Sequence, residues 1–224
     1  MEQQKSLFKI TIVLCAVAGF CDTVTFIAAD GLFSAHVTGN FILVANHLAK
    51  RSGIEAWLKL LSFPVFVISV MVGGWIAAKM QQKHLLLFIE GILLSVTGII
   101  AFVFEKQGWL ALHYSVLAIG MLTVFAMGLQ NAFGKLFSKE TFGPTTMMTG
   151  NVTQWALDLR GMFRSGFADI ETKKSFKKQS ATIVGFLAGC LLGAVAGKWI
   201  GLSALSIAGV AMVACYLGTN KAEQ

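Results

Sequence analysis

Charged residues are scarce in this sequence, and acidic ones most of all. Charged side chains make up 13% of the 224 residues, with 11 acidic against 18 basic ones, whereas 56% of the residues are hydrophobic and the mean hydropathy is +0.73. A soluble protein needs a polar surface, and a composition this apolar leaves too little material for one. The composition therefore excludes the soluble classes and indicates a protein that lies in lipid.

Motifs of nucleotide, metal and covalent chemistry are also absent. The sequence has no P-loop, no Gly-x-Ser-x-Gly, no His-Glu-x-x-His and no group of His, Cys and carboxylates at metal-ligand spacing. Its four cysteines lie inside apolar stretches without Cys-x-x-Cys spacing, which is typical of small buried side chains rather than of disulfides. We therefore expect no cofactor, no metal site and no catalytic residue, and we predict that the protein is not an enzyme.

The sequence instead contains long apolar runs. Six of them approach or exceed the roughly 20 helical residues that cross a hydrocarbon core, at positions 7–28, 56–78, 85–104, 110–133, 181–200 and 202–217. The first run is long, carries Asp22 and has no small-x-small cleavage site followed by a polar mature chain, so we expect it to remain in the membrane rather than to be removed as a signal peptide. The runs predict an all-α polytopic membrane protein with six full transmembrane helices and the lipid bilayer as its partner.

A polar tripeptide, Thr-Gly-Asn, occurs twice in this apolar chain. Its two copies comprise Thr38, Gly39 and Asn40 and, further on, Thr149, Gly150 and Asn151. Each precedes a short apolar stretch, at 41–49 and 152–159. We predict two broken half-helix elements, in which the chain turns at the tripeptide and starts a short helix capped by Thr or Asn. The alternative is two ordinary helix N-caps in interhelical loops. We also expect glycine to be needed at Gly39 and Gly150 more than at Gly91, which lies inside an apolar run.

Several features recur in the same order in the two halves of the chain. Gly19 and Asp22 stand before the first tripeptide as Gly128 and Asn131 stand before the second. Small residues in the following apolar runs also match, namely Ser69 and Gly73 with Gly189 and Gly193, and Gly91 and Gly98 with Gly201 and Gly209. This order predicts two structural repeats, residues 1–107 and residues 108–224, within one integral membrane domain.

The basic residues flank the apolar runs and do not alternate with aromatics, so they indicate topology and predict no nucleic-acid partner. The most basic segment, 160–178, is expected to be cytoplasmic, which places both termini in the cytoplasm. Its part 169–178 is interpreted as a solvated loop near the anionic leaflet. If the Thr-Gly-Asn elements cross the membrane, the repeats are parallel, and if they are re-entrant, the repeats are inverted. Counting Lys and Arg favours neither arrangement.

Short motifs spread over nearly the whole chain indicate a family. They are G-x-x-D, G-x-F, T-G-N, G-x-Q-N and T-T-x-x-T-G, at Gly19, Asp22, Gly31, Phe33, Thr38, Gly39, Asn40, Gly128, Gln130, Asn131, Thr145, Thr146, Thr149 and Gly150. On these motifs the chain resembles the YoaK-like family of uncharacterised bacterial multi-pass inner-membrane proteins. It departs from the family pattern at Thr23, where Ala is usual, and after Gln-Asn, where Lys135 is the only basic residue. The resemblance implies a location in the bacterial inner membrane and no established activity.

Two ionisable side chains lie near the first tripeptide. Asp22 is deep in an apolar run, where a charge costs about 2.5 to 3.5 kcal/mol and one hydrogen bond returns only about 0.6. His36 can change its charge near neutral pH. The predicted substrate-binding residues are Asp22, His36, Thr38, Gly39, Asn40, Gln130, Asn131, Thr149, Gly150 and Asn151.

The broken elements suggest a function. Free amides at helix N-termini favour a small secondary transporter or channel for a small anionic or carboxylated solute, with Asp22 carrying a coupling proton or cation. The alternatives are a lipid-headgroup-handling membrane enzyme that uses Asp22 and His36 as acid and base, and a non-transporting scaffold or sensor. A polar cavity between the halves favours transport, a lateral opening favours lipid chemistry, and a solid core favours a scaffold. The sequence does not determine the oligomeric state, and a homo-oligomer is compatible with it.

The predicted topology can be tested at the basic segment. A cysteine placed at Ser175 should resist a membrane-impermeant thiol reagent added to intact cells, because the segment faces the cytoplasm. The same cysteine should react once the cells are permeabilised. Strong labelling in intact cells would invert the topology.

Overall fold

Helices account for nearly all of the described chain. The computed structural model describes residues 2–50, 55–80 and 82–220, and no strand occurs among them. The α-helices are α1 (Glu2–Ala28), α2 (Val37–Ala49), α3 (Glu55–Leu58), α4 (Ser62–Lys79), α5 (Leu85–Lys106), α6 (His113–Leu136), α7 (Met148–Arg164), α8 (Ile170–Ile200) and α9 (Leu205–Asn220). Short 3-10 turns lie at Lys59–Leu61, Trp109–Ala111, Ser138–Glu140 and Gly201–Ala204. The predicted all-α class is confirmed.

Within the described residues, five helical stretches are long and apolar enough to cross a membrane. They are Leu7–Ala28, Lys59–Lys79, Leu85–Lys106, His113–Leu136 and Ile170–Thr219. The first four match predicted runs. The fifth spans 50 residues and contains the last two predicted runs, with a break at Gly201, whose φ is +55°. A total of six spanning helices therefore stays a prediction. Helix α2 is apolar but has only 13 residues, which is too short to cross a bilayer.

Helices α1 and α8 lie side by side and run in the same direction. Glycines of α8 meet the backbone of α1 in matching order, Gly185 at Ile12, Gly189 at Ala16 and Gly193 at Phe20. Helix association in lipid depends on close van der Waals packing, and residues without a Cβ let two backbones touch. This contact holds the long helix α8 along the whole apolar length of α1.

Two further helix pairs pack through small residues. Helices α4 and α6 also run in the same direction, since Ser69 Oγ donates to the carbonyl oxygen of Phe125, and Gly73 packs on Ala132 one turn further along α4 and about two turns further along α6. Helices α5 and α9 run in opposite directions, with Gly98 against Ser206 and Gly209 against Ser95. All three pairs are therefore built on small residues.

The two ends of the bundle are marked by contacts between loops and helices. At one end, Lys59 Nζ donates to the backbone oxygen of Asp30, and His113 Nδ1 lies 3.2 Å from Asp30 Oδ2. The end of α1 thus meets the starts of α4 and α6. At the opposite end, the backbone N–H of Phe142 donates to Thr11 Oγ1 at 3.1 Å. The segments that hold the two tripeptides therefore belong to opposite ends.

The charged stretch 169–178 is helical, so its interpretation as a solvated loop is wrong. Asp169 caps α8, since its Oδ1 accepts from the backbone N–H groups of Glu171 at 3.0 Å and Thr172 at 3.3 Å. The rings of Trp155 on α7 and Phe176 on α8 stack with their centroids 5.1 Å apart. Capping and aromatic packing stabilise a helix that the charge pattern did not predict.

The expectation about glycines is also wrong for Gly150 and Gly91. A Cβ at Gly150 would meet no atom within 4 Å, whereas one at Gly91 would lie 2.9 Å from the backbone nitrogen of Val213. A Cβ at Gly39 would lie 3.0 Å from the Phe33 ring, which a small shift of that side chain can relieve. Helix packing, rather than the tripeptide turns, sets the strongest need for glycine.

The packing of α8 on α1 predicts unequal effects of two matched substitutions. Gly189→Ala should destabilise the protein by about 1–3 kcal/mol or more, because the added Cβ collides with the carbonyl oxygen of Ala16. Gly150→Ala should be neutral or stabilising, because its Cβ enters open space and Ala favours helix. Thermal unfolding in detergent measures both effects. Equal tolerance at the two positions would contradict the close contact.

Candidate functional site

The loop after α1 folds back into the bundle and is held by Asp22. Asp22 lies six residues before the end of α1, which corresponds to about 9 Å of helix. Its Oδ1 accepts hydrogen bonds from Ser34 Oγ at 3.2 Å, from the backbone N–H of Ala35 at 2.5 Å and, more weakly, from that of His36 at 3.4 Å. The chain therefore leaves α1, returns to the depth of Asp22 and begins α2 there.

Asp22 also pairs with the side chain of His36. His36 Nδ1 contacts Asp22 Oδ2, and the side chains are 34% and 6% exposed, respectively. The hydrogen bond with Asp22 raises the pKa of His36 above its ordinary value, although partial burial of the ring opposes the rise. The contact with Asp22 therefore favours the protonated form of the imidazole.

A cleft with a volume of about 620 Å³ opens beside this pair. Its polar lining includes Asp22, Thr23, His36 and Thr38. Phe26, Phe33 and Phe186 form much of its apolar wall, and the rings of His36 and Phe186 pack edge to face with centroids 5.7 Å apart. Because Phe186 belongs to α8, the cleft lies between the first and second halves of the chain.

The Asn of the first tripeptide ties the returning loop together. Asn40 Oδ1 accepts from the backbone N–H of Phe33 at 2.9 Å, and Asn40 Nδ2 donates to the carbonyl oxygen of Phe33 at 2.8 Å. Nδ2 also donates to Ser62 Oγ at 2.9 Å, at the start of α4. Asn40 is buried, so it satisfies backbone groups that water cannot reach.

The Asn of the second tripeptide makes the corresponding contact. Asn151 Nδ2 donates to the carbonyl oxygen of Pro144 at 2.8 Å, again seven residues earlier in the chain. Pro144 has no N–H, so the two-way contact seen at Asn40 cannot form here. The prediction that Thr or Asn caps these helices is wrong, because neither α2 nor α7 has a side-chain cap at its N-terminus. The tripeptides lie inside the first turns, and their Asn residues staple the preceding loops.

The loop after α6 also folds back, and polar side chains of α6 hold it. Asn131 Oδ1 accepts from Thr146 Oγ1 at 2.7 Å. Gln130 Nε2 donates to Thr145 Oγ1 at 3.0 Å and to the carbonyl oxygen of Leu14 on α1 at 2.9 Å. Each returning loop is thus bound to its own preceding helix, and the second is bound to α1 as well.

The structure divides the predicted site residues into two clusters. Asp22, His36, Thr38 and Gly39 line the cleft, whereas Asn40 lies behind it in the loop staple. Gln130, Asn131 and Asn151 belong to the second loop, and Thr149 and Gly150 are exposed in the first turn of α7. Leu14 and Asp22 are eight residues apart on α1, so the clusters are separated by about 12 Å along that helix. Among the described residues, no hydrogen bond joins them.

Residues of α8 in the cleft were not predicted from the sequence. Phe186 and Cys190 contribute to its wall, but they lie in an ordinary apolar run and carry no motif. Their position depends on the pairing of α8 with α1, for which the glycines spaced four residues apart at Gly185, Gly189 and Gly193 were the available signal. That signal shows which helix face packs closely without identifying its partner.

Two comparisons with known proteins bear on this chain. A family model described as "Protein of unknown function (DUF1275)" matches residues 10–218. The chain is also similar to the UPF0700 transmembrane protein YoaK of Bacillus subtilis (strain 168), with 24% identity over 186 residues, which are 82% of this chain and 75% of that protein. No solved structure matches. The YoaK-like resemblance read from the motifs is confirmed, and the description of the relative agrees with a location in the membrane.

The contact of His36 with Asp22 predicts how stability depends on pH. The folded pKa of His36 lies above the unfolded value of about 6.5, so the stabilisation by the pair is complete below about pH 6.5 and is lost as pH rises through the folded pKa. The thermal midpoint of the wild type should therefore fall with rising pH more than that of His36→Gln. Thr149→Ala, an exposed position outside the cleft that removes no titratable group, serves as the control and should keep the wild-type profile. Identical profiles for wild type and His36→Gln would rule out the pair.

Proposed function

The chain belongs to the DUF1275 family of membrane proteins, and we propose that it is a small proton-coupled secondary transporter for an amphipathic solute that carries a carboxylate. The observation that carries this proposal is the Asp22–His36 pair in the wall of a cleft between the two halves of the chain. Ionisable side chains within membrane spans are costly and usually serve ions, protons or substrates.

The pair has the chemistry of a proton carrier. When His36 is protonated, its second ring nitrogen is an N–H donor that can bind a carboxylate of the solute. Loss of the proton removes this donor and weakens the binding. Asp22 keeps the imidazole oriented and favours its charged form. Solute binding and proton binding would thus be coupled at one side chain.

This assignment changes the physical basis of anion recognition. The sequence suggested free amides at the helix N-termini as the anion site. Just before α2 begins, the amides of Ala35 and His36 donate to the carboxylate of Asp22, which already places an acidic group at this helix start. We therefore assign the anion to the imidazolium of His36 rather than to the backbone.

The cleft also favours a solute with an apolar body. Its volume of about 620 Å³ is within the range of about 300–1,000 Å³ that is typical of small-molecule sites. Three phenylalanine rings, those of Phe26, Phe33 and Phe186, line the cleft next to the polar pair. An acid with an aromatic or branched apolar group would bury that group against these rings while its carboxylate meets His36.

Helix packing supports an inverted arrangement of two repeats. Ser95 and Ser206 are 111 positions apart, and so are Gly98 and Gly209. Gly98 packs on Ser206 while Gly209 packs on Ser95, which is the reciprocal contact that a two-fold relation requires. Because α5 and α9 are antiparallel, the two-fold axis would lie across the helices, as it does in inverted-repeat transporters.

A second set of contacts fits the same relation. Gly19 of α1 packs on the carbonyl oxygen of Phe186 in α8, and Gly128 of α6 packs on that of Phe66 in α4. Each half would then contribute one helix to a parallel pair with the other half. The boundary at 107/108 fits this exchange. Both tripeptide elements would be re-entrant, with the termini and the segment 160–178 on the cytoplasmic side of the inner membrane.

One observation favours lipid as an alternative occupant of the cleft. Phe26 and Ile42 at its rim are 42% and 73% exposed, so the cleft borders an apolar surface that faces acyl chains in a membrane. A lipid-headgroup-handling protein would use Asp22 and His36 on a headgroup entering from the side. The two functions differ in whether a water-soluble probe is moved across the bilayer.

The proposed solute class can be tested with two probes of matched shape. Benzoate should raise the thermal midpoint of the detergent-solubilised protein more than neutral benzamide does. Only the carboxylate of benzoate can form an ion pair with protonated His36. At 100 times its dissociation constant, a ligand stabilises the folded protein by about 2.7 kcal/mol. The shift should be lost in His36→Gln and kept in Thr149→Ala, whose position lies outside the cleft.

Transport is measured with benzenesulfonate, which stays ionised and therefore leaks slowly through lipid. An inward proton gradient should drive its uptake into proteoliposomes containing the wild type or Thr149→Ala, and His36→Gln should abolish that uptake. Probe binding without uptake would contradict a transporter. Loss of copurified anionic phospholipid in His36→Gln, with no response to either soluble probe, would favour the lipid alternative.

A further inference from the structure

Glu90 is a buried carboxyl side chain without a hydrogen-bond partner. It lies in α5, is 0% exposed, and neither of its carboxyl oxygens has a partner among the described residues. Leu86, Leu87 and Leu94 are buried on the same face of α5. No motif or site described above includes Glu90.

An ionised carboxylate in this place would be very unfavourable. Burying an unpaired charge in apolar surroundings costs so much that such a group is normally neutral, paired or bound to an ion. The described residues offer no cation within hydrogen-bond distance of Glu90. We propose that Glu90 is an internal proton-binding site that holds its proton while the bundle is closed and releases it when α5 and α9 separate.

The titratable neighbours of Glu90 cannot replace a missing cation. Cys21 on α1 and Cys215 on α9 are close enough to interact with it electrostatically, and Tyr216 on α9 packs on Phe88 of α5. Among the described residues of α6, none of the buried ones has a titratable side chain. All these neighbours are neutral when protonated, so the proton on Glu90 is the simplest way to remove its charge.

The contact between α5 and α9 closes this site. Gly91, next to Glu90, packs on Met212 and Val213, and Gly98 packs on Ser206 two turns further along. With the two backbones in such close contact and Glu90 completely buried, we infer that proton exchange requires the two helices to move apart. The same two helices form the centre of the reciprocal contact, where the halves would rearrange against each other. The proton site is independent of the solute and goes beyond the proposed transport function.

Infrared spectroscopy tests the protonation directly. Protein in lipid vesicles at about pH 8, where an exposed glutamate is fully ionised, should retain a carboxylic acid band that Glu90→Gln lacks. Glu90→Asp should shift the band rather than remove it. Glu105→Gln is the matched control, because Glu105 lies near the other end of α5 and is exposed, and it should leave the band unchanged. If the carboxylic acid band is equally strong in the wild type and in Glu90→Gln, the proposal is overturned.

Stability against pH provides a second readout that requires no solute. The unfolded chain ionises Glu90 above about pH 4.3, whereas the folded bundle keeps the proton, so rising pH should favour unfolding. The thermal midpoint of the wild type should fall with pH more steeply than that of Glu90→Gln, which mimics the neutral acid. Equal slopes would mean that Glu90 has the same charge in the folded and the unfolded protein, and they would contradict the proposal. Failure of the benzoate experiment would leave both of these results unaffected.

Discussion

The structure depends on one constraint, which is that every backbone polar group within the apolar depth of a membrane must find a partner in the protein. A helix meets this constraint by itself, but a loop that folds back into a bundle does not. In this protein, side chains provide hydrogen-bond partners for backbone groups of the returning loops. Asp22 accepts hydrogen bonds from the backbone amides of Ala35 and His36, and Asn40 forms hydrogen bonds with both the N–H and the carbonyl oxygen of Phe33. These two polar side chains satisfy backbone groups of the first loop.

The same contacts show why Asp22 is tolerated in an apolar helix. A single hydrogen bond would not offset the cost of its charge, but Asp22 receives donors from three loop residues and a contact from the ring of His36. Its structural role and the proposed functional role are therefore coupled. The carboxylate holds the loop in place, and the loop presents His36 to the cleft. In α6, the uncharged Asn131 and Gln130 hold the second loop with fewer contacts.

Asp22 and Glu90 represent two ways in which a membrane protein can contain a carboxyl group. Asp22 has donors on its carboxylate and a histidine beside it, so its charge is balanced locally. Among the described residues Glu90 has neither, and we propose that a bound proton removes its charge. The glycines of α5 and α9 bring the two helices into close contact beside this second group. Close packing and proton storage are then properties of one helix interface.

Much of the architecture could be predicted from the sequence, because hydropathy and helix length are local properties. The all-α class, the first four apolar helices and the family motifs all follow from the order of residues along the chain. Asp22, His36 and the two tripeptides also stand out in the sequence, because polar residues are rare in its apolar runs. The charge pattern did not reveal that 169–178 is helical, because capping by Asp169 and stacking of Phe176 on Trp155 outweigh it.

Tertiary structure decided which of these residues meet. The contact of His36 with Asp22 depends on a loop that reverses direction, and no local pattern specifies that reversal. The contribution of Phe186 to the cleft depends on the parallel pairing of α8 with α1, two helices far apart in the chain. The sequence by itself determined which segments lie in lipid and which residues are costly there. Only the folded bundle determined which contacts offset the cost of burying each polar side chain, because hydrogen-bond partners and the exclusion of water depend on neighbours in space.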